Sequence, residues 1–229
     1  MPGDTTRNVP TSRPDSAGWP LPVRLAQVAT GTALMGFAVA LLVNAATGLL
    51  PLDILHRAIG NQFGWTLGGA IIAVQSSLLV LNLSLGVKPG IGTLAAVIIP
   101  AVTADLALSM LHPPQLTWLR LMALLLGGAM FAVGTALYLS AEMGALPRDG
   151  LINAIAQRTN WNWARIRIAA DVLCLLAGVL IFRPALAVAN GSLGIGSLLL
   201  ALTLGPSIAS LVALFSHRPR PDTPAREEA

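Results

Sequence analysis

The amino-acid sequence predicts an all-α integral membrane protein of about six transmembrane helices, built as two inverted three-helix repeats that each contain a short Pro-x-Asp helix. The first observation is composition: 55% of the 229 residues are hydrophobic, 10% are charged and the mean hydropathy is +0.73, which is too apolar for an ordinary soluble domain. The second is that apolar residues form long runs instead of the alternating pattern of an outer-membrane barrel. The third is a duplicated Gly-x-Leu-Pro-x-Asp segment.

The apolar runs define the spans, because about 20 residues in a helix cross a hydrocarbon core of roughly 30 Å. The fifth run is the shortest and carries Asp171 near its start. The first 22 residues are rich in Pro, Ser and Thr and lack an apolar signal-peptide core, so they are predicted to be a disordered tail. The predicted spans are 25–43, 65–85, 91–111, 119–141, 167–182 and 195–215, within a tail at 1–22, a first repeat at 23–112, a second repeat at 113–216 and a tail at 217–229.

The positions of the basic residues predict the orientation in the membrane. If the amino terminus is cytoplasmic, the outer segments contain only Arg57, Arg120 and Arg183, and the other eleven of the 14 Lys and Arg residues lie on the inner side. An inner excess of basic residues is the usual arrangement in helical membrane proteins, so both termini are predicted to be cytoplasmic. The same arrangement accounts for the net charge of +4 without a nucleic-acid partner.

The duplicated segment belongs to a longer internal repeat. The stretch 47–58 reads TGLLPLDILHRA, and 96 residues later the stretch 143–154 reads MGALPRDGLINA. Further along, GIGT at 90–93 is matched by GIGS at 194–197, after an insertion of about eight to ten residues in the second copy. Each half therefore reads span, Pro-x-Asp element, span, GIG(T/S), span.

Three spans in each half make the repeats inverted, because the second half begins on the side where the first half ends. Pro51 and Asp53 are then predicted on the outer side, and Pro147 and Asp149 on the inner side. Inverted repeats with broken helices at the repeat interface are a recurrent construction of secondary transporters.

The Pro-x-Asp elements are predicted to be short helices over 53–60 and 149–160, each with its Asp at the N-cap. Helices of that length cover roughly 12 to 18 Å, about half of the hydrocarbon core. Two interpretations remain open. The helices could be re-entrant and line a pathway, or they could lie at the membrane surface, which the charges of His56, Arg57 and Arg158 favour.

The second half carries the most specific family resemblance. Residues 137–173 read LYLSAEMGALPRDGLINAIAQRTNWNWARIRIAADVL, and GIGSLLLALTLGP follows at 194–206. This pattern resembles the YczE/YitT-type bacterial membrane proteins. The first half departs from it, with Gln75 where the second half has Asp171 and with no counterpart of Arg148. The resemblance implies a polytopic protein of the bacterial inner membrane, described in such families as a transporter or simply as a membrane protein, and it implies no substrate.

Asp105 is the carboxylate placed deepest in an apolar run, about two turns from the outer end of the third span. Charged groups within spans are costly and usually face the interior of the helix bundle. Asp105 is therefore a candidate proton or cation site. The alternative is a carboxyl group that is kept protonated or is bonded to a neighbouring helix.

The densest charge cluster is predicted at the cytoplasmic border of the second half. Glu142 ends the fourth span near Arg148 and Asp149, and Asp171 follows Arg167 by four residues, which places the last two on one helix face. The cluster is either a set of structural ion pairs or the mouth of a substrate pathway.

An enzyme is not expected. The three histidines, His56, His112 and His217, are assigned to loops or the tail, and they share no metal-ligand spacing with Cys174. No Gly-x-Ser-x-Gly motif occurs, and nothing supplies an acid, a base and a nucleophile together. No metal and no cofactor are predicted.

The function predicted from the sequence is transport of a small solute or ion through the repeat interface. In this hypothesis Asp53 and Asp149 cap the broken helices, and Asp105 and Asp171 supply charge. Arg148 would orient an anionic group. The alternative is a scaffold that supports another membrane or biosynthetic complex. The expected partners are the lipid bilayer, the solute, and a second copy or another membrane protein.

Overall fold

The structure is a computed structural model that describes residues 19–159 and 161–216. Within those residues the chain forms nine α-helices and no strand, which confirms the all-helical prediction. The two predicted tails fall largely at 1–18 and 217–229, outside the described residues. The helices are α1 (Leu21–Ala45), α2 (Pro51–Phe63), α3 (Leu67–Ser84), α4 (Ile91–Met110), α5 (Thr117–Ser140), α6 (Pro147–Thr159), α7 (Trp163–Phe182), α8 (Pro184–Ala189) and α9 (Ile195–Ser216).

Five helices in the described part of the chain, α1, α3, α4, α5 and α9, are long and apolar enough to cross a membrane. Their bounds agree with five of the predicted spans to within four residues. The other predicted span is present as α7, which has 20 residues. It is not among the five apolar helices because its first half carries Arg165, Arg167 and Asp171.

Helices α1 and α5 form an antiparallel pair at the centre of the bundle. A Cβ atom on Gly31 would lie 2.6 Å from the carbonyl oxygen of Gly134, and a Cβ atom on Gly134 would lie 2.6 Å from that of Gly31. Glycine at both positions lets the two backbones touch, which is how helices pack closely in lipid. At the start of α1, the Arg24 guanidinium donates to the carbonyl oxygens of Ala141 and Glu142, at 2.8 Å each, just after α5 ends.

Two short corners with the same backbone conformation follow α1 and α5. Ala46 and Gly48 have φ values of 50° and 140°, and Glu142 and Gly144 have φ values of 50° and 134°. Because α1 begins where α5 ends, these corners lie at opposite ends of the antiparallel pair. The 25 residues of α1 separate them by roughly 37 Å of helix.

Each corner is bonded to the first turn of a helix in the other half of the chain. The carbonyl oxygen of Thr47 accepts from the N–H of Gly196 in α9, at 2.9 Å. The carbonyl oxygen of Met143 accepts from the N–H of Gly92 in α4, at 3.0 Å. The GIGS and GIGT motifs therefore lie at the starts of the two helices, α9 and α4, to which the corners are bonded. Their glycines allow the backbone of each helix start to contact the backbone of the corner.

Side-chain hydroxyls complete the same junctions. The Thr93 hydroxyl donates to the carbonyl oxygen of Ala145, at 2.8 Å. The Ser197 hydroxyl, at the related position, accepts from the N–H of Leu49, at 3.0 Å. The fourth residue of each GIG(T/S) motif thus satisfies a backbone group of the opposite corner.

The short helices begin earlier than predicted, and the prediction that Asp53 and Asp149 are N-caps is wrong. Helix α2 starts at Pro51 with Leu50 at its N-cap, and α6 starts at Pro147, so each Asp is the third helical residue. The reason is that proline is well suited to the first helical position, since its φ is already helical and its missing N–H needs no partner there.

The two halves differ in how their last helices pack. Helix α3 packs closely on α4, whereas α7 packs far less closely on α9. At the α3–α4 contact, Gly68 lies against the backbone of Ala101, and its N–H donates to the Asp105 carboxylate at 2.7 Å. The repeat places Ala164 at the position of Gly68 in the second half.

Candidate functional site

A cavity of about 200 Å³ lies among the helices of the two halves. Its described lining comes from every helix except the short α8, and most positions of the first half recur in the second half 96 residues later. The related lining pairs are Met35 and Phe131, Val39 and Thr135, Leu50 and Leu146, Leu52 and Arg148, Asp53 and Asp149, Ile71 and Arg167, and Gln75 and Asp171.

On the second-half side of the cavity, two arginines and two aspartates form one ion-pair network between α6 and α7. Arg148 Nη1 lies 2.9 Å from Asp171 Oδ1, and Arg148 Nε lies 3.6 Å from Asp149 Oδ1. Arg167 Nη1 lies 3.3 Å from the same Asp149 oxygen. These side chains are between 17% and 30% exposed, and their two positive and two negative charges balance.

The network differs from the pairing that helical spacing suggested. Arg167 and Asp171 share a face of α7, but each pairs with a residue of α6. The first turn of α6 lies beside this face, so Asp149 and Arg148 provide partners. The Arg167 guanidinium also lies 5.2 Å from the ring centre of Trp163, one turn earlier on α7.

On the first-half side, the cavity contains a buried carboxylate and imidazole that pair only with each other among the described residues. Asp53 Oδ1 lies 3.2 Å from His56 Nδ1, and the two side chains are 9% and 3% exposed. Asp53 Oδ2, His56 Nε2 and the Oε1 atom of Gln75, which also lines the cavity, are buried and have no hydrogen-bond partner in the described part of the chain.

The prediction that His56 lies in a loop is wrong. In the structure His56 lies in α2 and lines the cavity. The signal that identifies it is the three-residue spacing from Asp53 within a helix, which puts both side chains on one face. The charge of Arg57 had favoured a surface position, but its guanidinium donates inward to the Asn190 carbonyl oxygen and the Ser192 hydroxyl, at 3.2 and 3.1 Å.

Two sequence-derived candidates lie outside the cavity. Asp105 is half-buried and accepts from the Gly68 N–H in the first turn of α3, so it is bonded to a neighbouring helix. Glu142 is exposed in the corner after α5, where its carbonyl oxygen accepts from Arg24. The other five candidates, Asp53, Arg148, Asp149, Arg167 and Asp171, line the cavity.

The chemistry available in the cavity is that of binding a charged solute. Its ionisable lining consists of three carboxylates, two guanidiniums and one imidazole. Among the residues that the structure describes, no group of three or more His, Cys, Asp or Glu side chains is placed to hold a metal ion.

The bundle of apolar helices around a charged cavity defines a multi-pass α-helical membrane protein. The model of DUF6198, a family of unknown function, matches residues 22–212, and the chain belongs to this family. The chain is 29% identical over 181 residues to the uncharacterized membrane protein YczE of Bacillus subtilis, covering 76% of this chain and 79% of that protein. It is 26% identical over 186 residues to an uncharacterized protein of Haemophilus influenzae, covering 81% and 82%.

These matches confirm the resemblance to YczE-type proteins that the second half indicated. No solved structure matches the chain.

Proposed function

We propose that this protein is a transporter that moves a small solute or ion through the cavity between its two halves, without chemical change to the solute. The observation that carries the proposal is the cavity lining, where equivalent positions of both halves bring ionisable side chains together inside a bundle of apolar helices. Ionisable residues within a membrane bundle are expensive, and they commonly mark a substrate or ion pathway.

The proposed topology is two inverted repeats of three spans each, with α7 as the sixth span and both termini in the cytoplasm of a bacterial inner membrane. The antiparallel contact of Gly31 with Gly134 supports the inversion, as do the reciprocal bonds from Thr47 to Gly196 and from Met143 to Gly92. A sixth span with three charges is acceptable because Arg167 and Asp171 are paired with α6.

Helices α2 and α6 are proposed to be re-entrant half-helices. The first turn of α6 contacts Arg167 and Asp171, which lie one to two turns inside α7. Further along α6, the Asn153 amide oxygen accepts from the indole of Trp163, the first residue of α7, at 2.6 Å. These contacts support a helix that begins at depth and returns toward the surface. Irregular backbone at depth is tolerated when it lines a cavity.

The alternative is a scaffold that does not transport and instead supports another membrane protein or a second copy. The closed ion-pair network of the second half favours this reading, because its four charges balance without a solute. The unsatisfied acceptors of Asp53 and Gln75 favour transport, because a static scaffold gains nothing from buried groups without partners.

The proposal is tested by flux into proteoliposomes that contain the purified protein. Radiolabelled cationic, zwitterionic and anionic solutes are offered at equal concentration, with empty liposomes as background. We expect at least one charge class to enter at least tenfold faster than background. Asp149→Asn should reduce that flux to background, because Asp149 bridges both arginines.

Asp105→Asn is the matched control, since it makes the same chemical change outside the cavity and keeps an oxygen that can accept from Gly68. Its flux should equal that of the wild type. Absence of flux for every charge class, together with a stoichiometric partner that co-purifies from the membrane, would favour the scaffold.

The topology is tested separately by thiol labelling in a Cys174→Ala background. Asn61 and Gln157 are exposed, lie near the ends of α2 and α6 and are related by the repeat. Membrane-impermeant maleimide should label Asn61→Cys from the outer side and Gln157→Cys from the inner side. Labelling of both variants from one side would disprove the inversion.

A further inference from the structure

We propose that Asp53, His56 and Gln75 form the binding site for the ammonium group of a small organic cation, and that this cation enters in exchange for a proton. The inference rests on the proposed transport function and names its solute class and its coupling ion.

The charges of the cavity lining indicate a cationic solute. The carboxylates of Asp149 and Asp171 are engaged by Arg148 and Arg167, so these four groups balance. Asp53 is the third carboxylate of the lining, and its ion-pair partner among the described residues is the His56 imidazole. With that imidazole neutral, the three carboxylates and two guanidiniums leave one excess negative charge in the cavity, which is unfavourable. The cavity therefore requires one further positive charge, either a proton on the Asp53 and His56 pair or a bound monovalent cation.

The unpaired hydrogen-bond acceptors of the cavity indicate an ammonium group. When His56 Nδ1 carries the proton and donates to Asp53 Oδ1, the ring atom Nε2 is an acceptor, a tautomer assigned here from the 3.2 Å contact. Asp53 Oδ2, His56 Nε2 and Gln75 Oε1 are then three buried acceptors that lack partners in the described part of the chain. A primary ammonium group has three N–H donors, whereas an alkali cation or a quaternary ammonium has none.

The size of the cavity and its apolar lining restrict the rest of the solute. The side chains that α1, α5 and α9 contribute to the cavity are largely apolar, including Met35, Val39, Phe131, Leu200 and Leu204. A cavity of about 150 Å³ holds one benzene molecule, so the 200 Å³ here suits a solute of roughly five to ten non-hydrogen atoms. The solute is thus an amine with a short apolar chain.

Exchange with a proton follows from the single binding position. When the ammonium enters, one proton leaves the pair to bulk water, so the net charge of the cavity is unchanged. The charged groups that face the pair are Arg148 and Asp149 from α6 and Arg167 and Asp171 from α7. The described lining from α1, α3, α4, α5 and α9 contributes no ionisable group. Raising the pH removes the competing proton and strengthens cation binding.

The test compares three ligands of similar size and different charge on the purified full-length protein in detergent. Butylammonium, 1-butanol and butanoate are titrated calorimetrically at pH 8. Butylammonium should bind at least tenfold more tightly than the other two. Repeating the titration at several pH values, in buffers of different ionisation enthalpy, should show release of one proton wherever the pair is protonated. In that same range the affinity should fall about tenfold for each unit by which the pH is lowered.

Asp53→Asn should lower the affinity for butylammonium at least tenfold and abolish its pH dependence. Gln75→Met keeps every ionisable group and should lower affinity several-fold while one proton is still released, which provides a second variant if Asp53→Asn does not fold. His112→Gln, in an exposed loop, is the control and should bind as the wild type does.

Three results would overturn the inference: tighter binding of butanoate than of butylammonium, equal binding of all three ligands, or cation binding without proton release. The same proton release on addition of NaCl would assign the site to an inorganic cation instead. None of these results bears on the flux experiment. A protein that carries anions would keep its transport function and lose only this solute assignment.

Discussion

The two halves share a backbone design and differ in the charges that they present to the cavity. The corners at Gly48 and Gly144 have nearly the same φ, and each is bonded to a GIG(T/S) helix start of the other half. Yet Leu52 stands where the second half has Arg148, and Gln75 stands where it has Asp171. In the second half, Arg148 therefore forms an ion pair with Asp171. In the first half, Asp53 is paired with the imidazole of His56.

The comparison teaches that the repeat fixes backbone contacts while leaving the side chains of the cavity free to differ. Corner and helix-start positions are constrained because a side chain there would meet backbone of the other half. Cavity positions meet open space, so the same fold accommodates a balanced network on one wall and an unsatisfied pair on the other. Four measurements test this contrast.

The largest effect is expected from removing Arg148, because the equivalent position of the first half is Leu52. Arg148→Met leaves Asp171 without its close cationic partner and should lower the free energy of unfolding by about 3 kcal/mol, as measured by SDS titration in mixed micelles. Leu52→Met, at the equivalent position of the first half, should cost less than about 1.5 kcal/mol. Equal losses at the two positions would mean that the network contributes nothing beyond packing.

The second measurement tests whether the two corners are equivalent. A Cβ atom at Gly144 would lie 2.5 Å from Thr93 Oγ1, one at Gly48 would meet the backbone of Ser197, and both glycines have positive φ. Gly48→Ala and Gly144→Ala should each cost about 2 kcal/mol, measured as above. Gly205→Ala, where a Cβ atom would meet nothing within 4 Å, should be neutral or stabilising by up to about 1 kcal/mol. A large difference between the corners would contradict their equivalence.

The third measurement transplants the charges of the second half into the first. Leu52→Arg and Gln75→Asp each add a charge without its designed partner and should each destabilise the protein. Together they recreate the Arg148 and Asp171 pair, so the double variant should be more stable than the sum of the single changes by about 1 to 2 kcal/mol. Simple additivity would show that the two positions do not face each other as their counterparts do.

The smallest effect is expected at the hydroxyls of the GIG(T/S) motifs. Thr93→Val and Ser197→Ala each remove one bond to the opposite corner and should each cost about 1 kcal/mol. Ser77→Ala serves as the reference, because its hydroxyl bonds only within α3 on an exposed face. Losses no larger than that of the reference would show that the backbone bonds alone hold the corners.

The spans and short helices could be predicted from sequence because hydropathy and proline act locally. Five spans agree with the structure to within four residues, and the Pro-x-Asp motif located α2 and α6. The N-cap error has a local cause too, since the proline two residues before each Asp takes the first helical position.

The partners of the polar residues could not be predicted, because they are set by packing between distant segments. Asp105 accepts a hydrogen bond from the backbone N–H of Gly68, 37 residues away. Because nearly every residue has a backbone N–H, the residue type gives no indication of this partner. Arg148 and Asp171 are 23 residues apart and meet only because the first turn of α6 lies against α7. The inward contacts of Arg57 could not be predicted for the same reason, since its partners lie more than 130 residues further along the chain.

The bond between Leu49 and Ser197 joins residues 148 positions apart, and it constrains the order in which the protein is made. The first corner leaves the ribosome long before α9 has been translated, and until then the carbonyl oxygen of Thr47 lacks the N–H of Gly196 as its partner. A chain that stops before residue 195 is therefore incomplete near its beginning as well as at its truncated end. Addition of α9 completes the contacts of the corner that follows α1, the first helix to be synthesised.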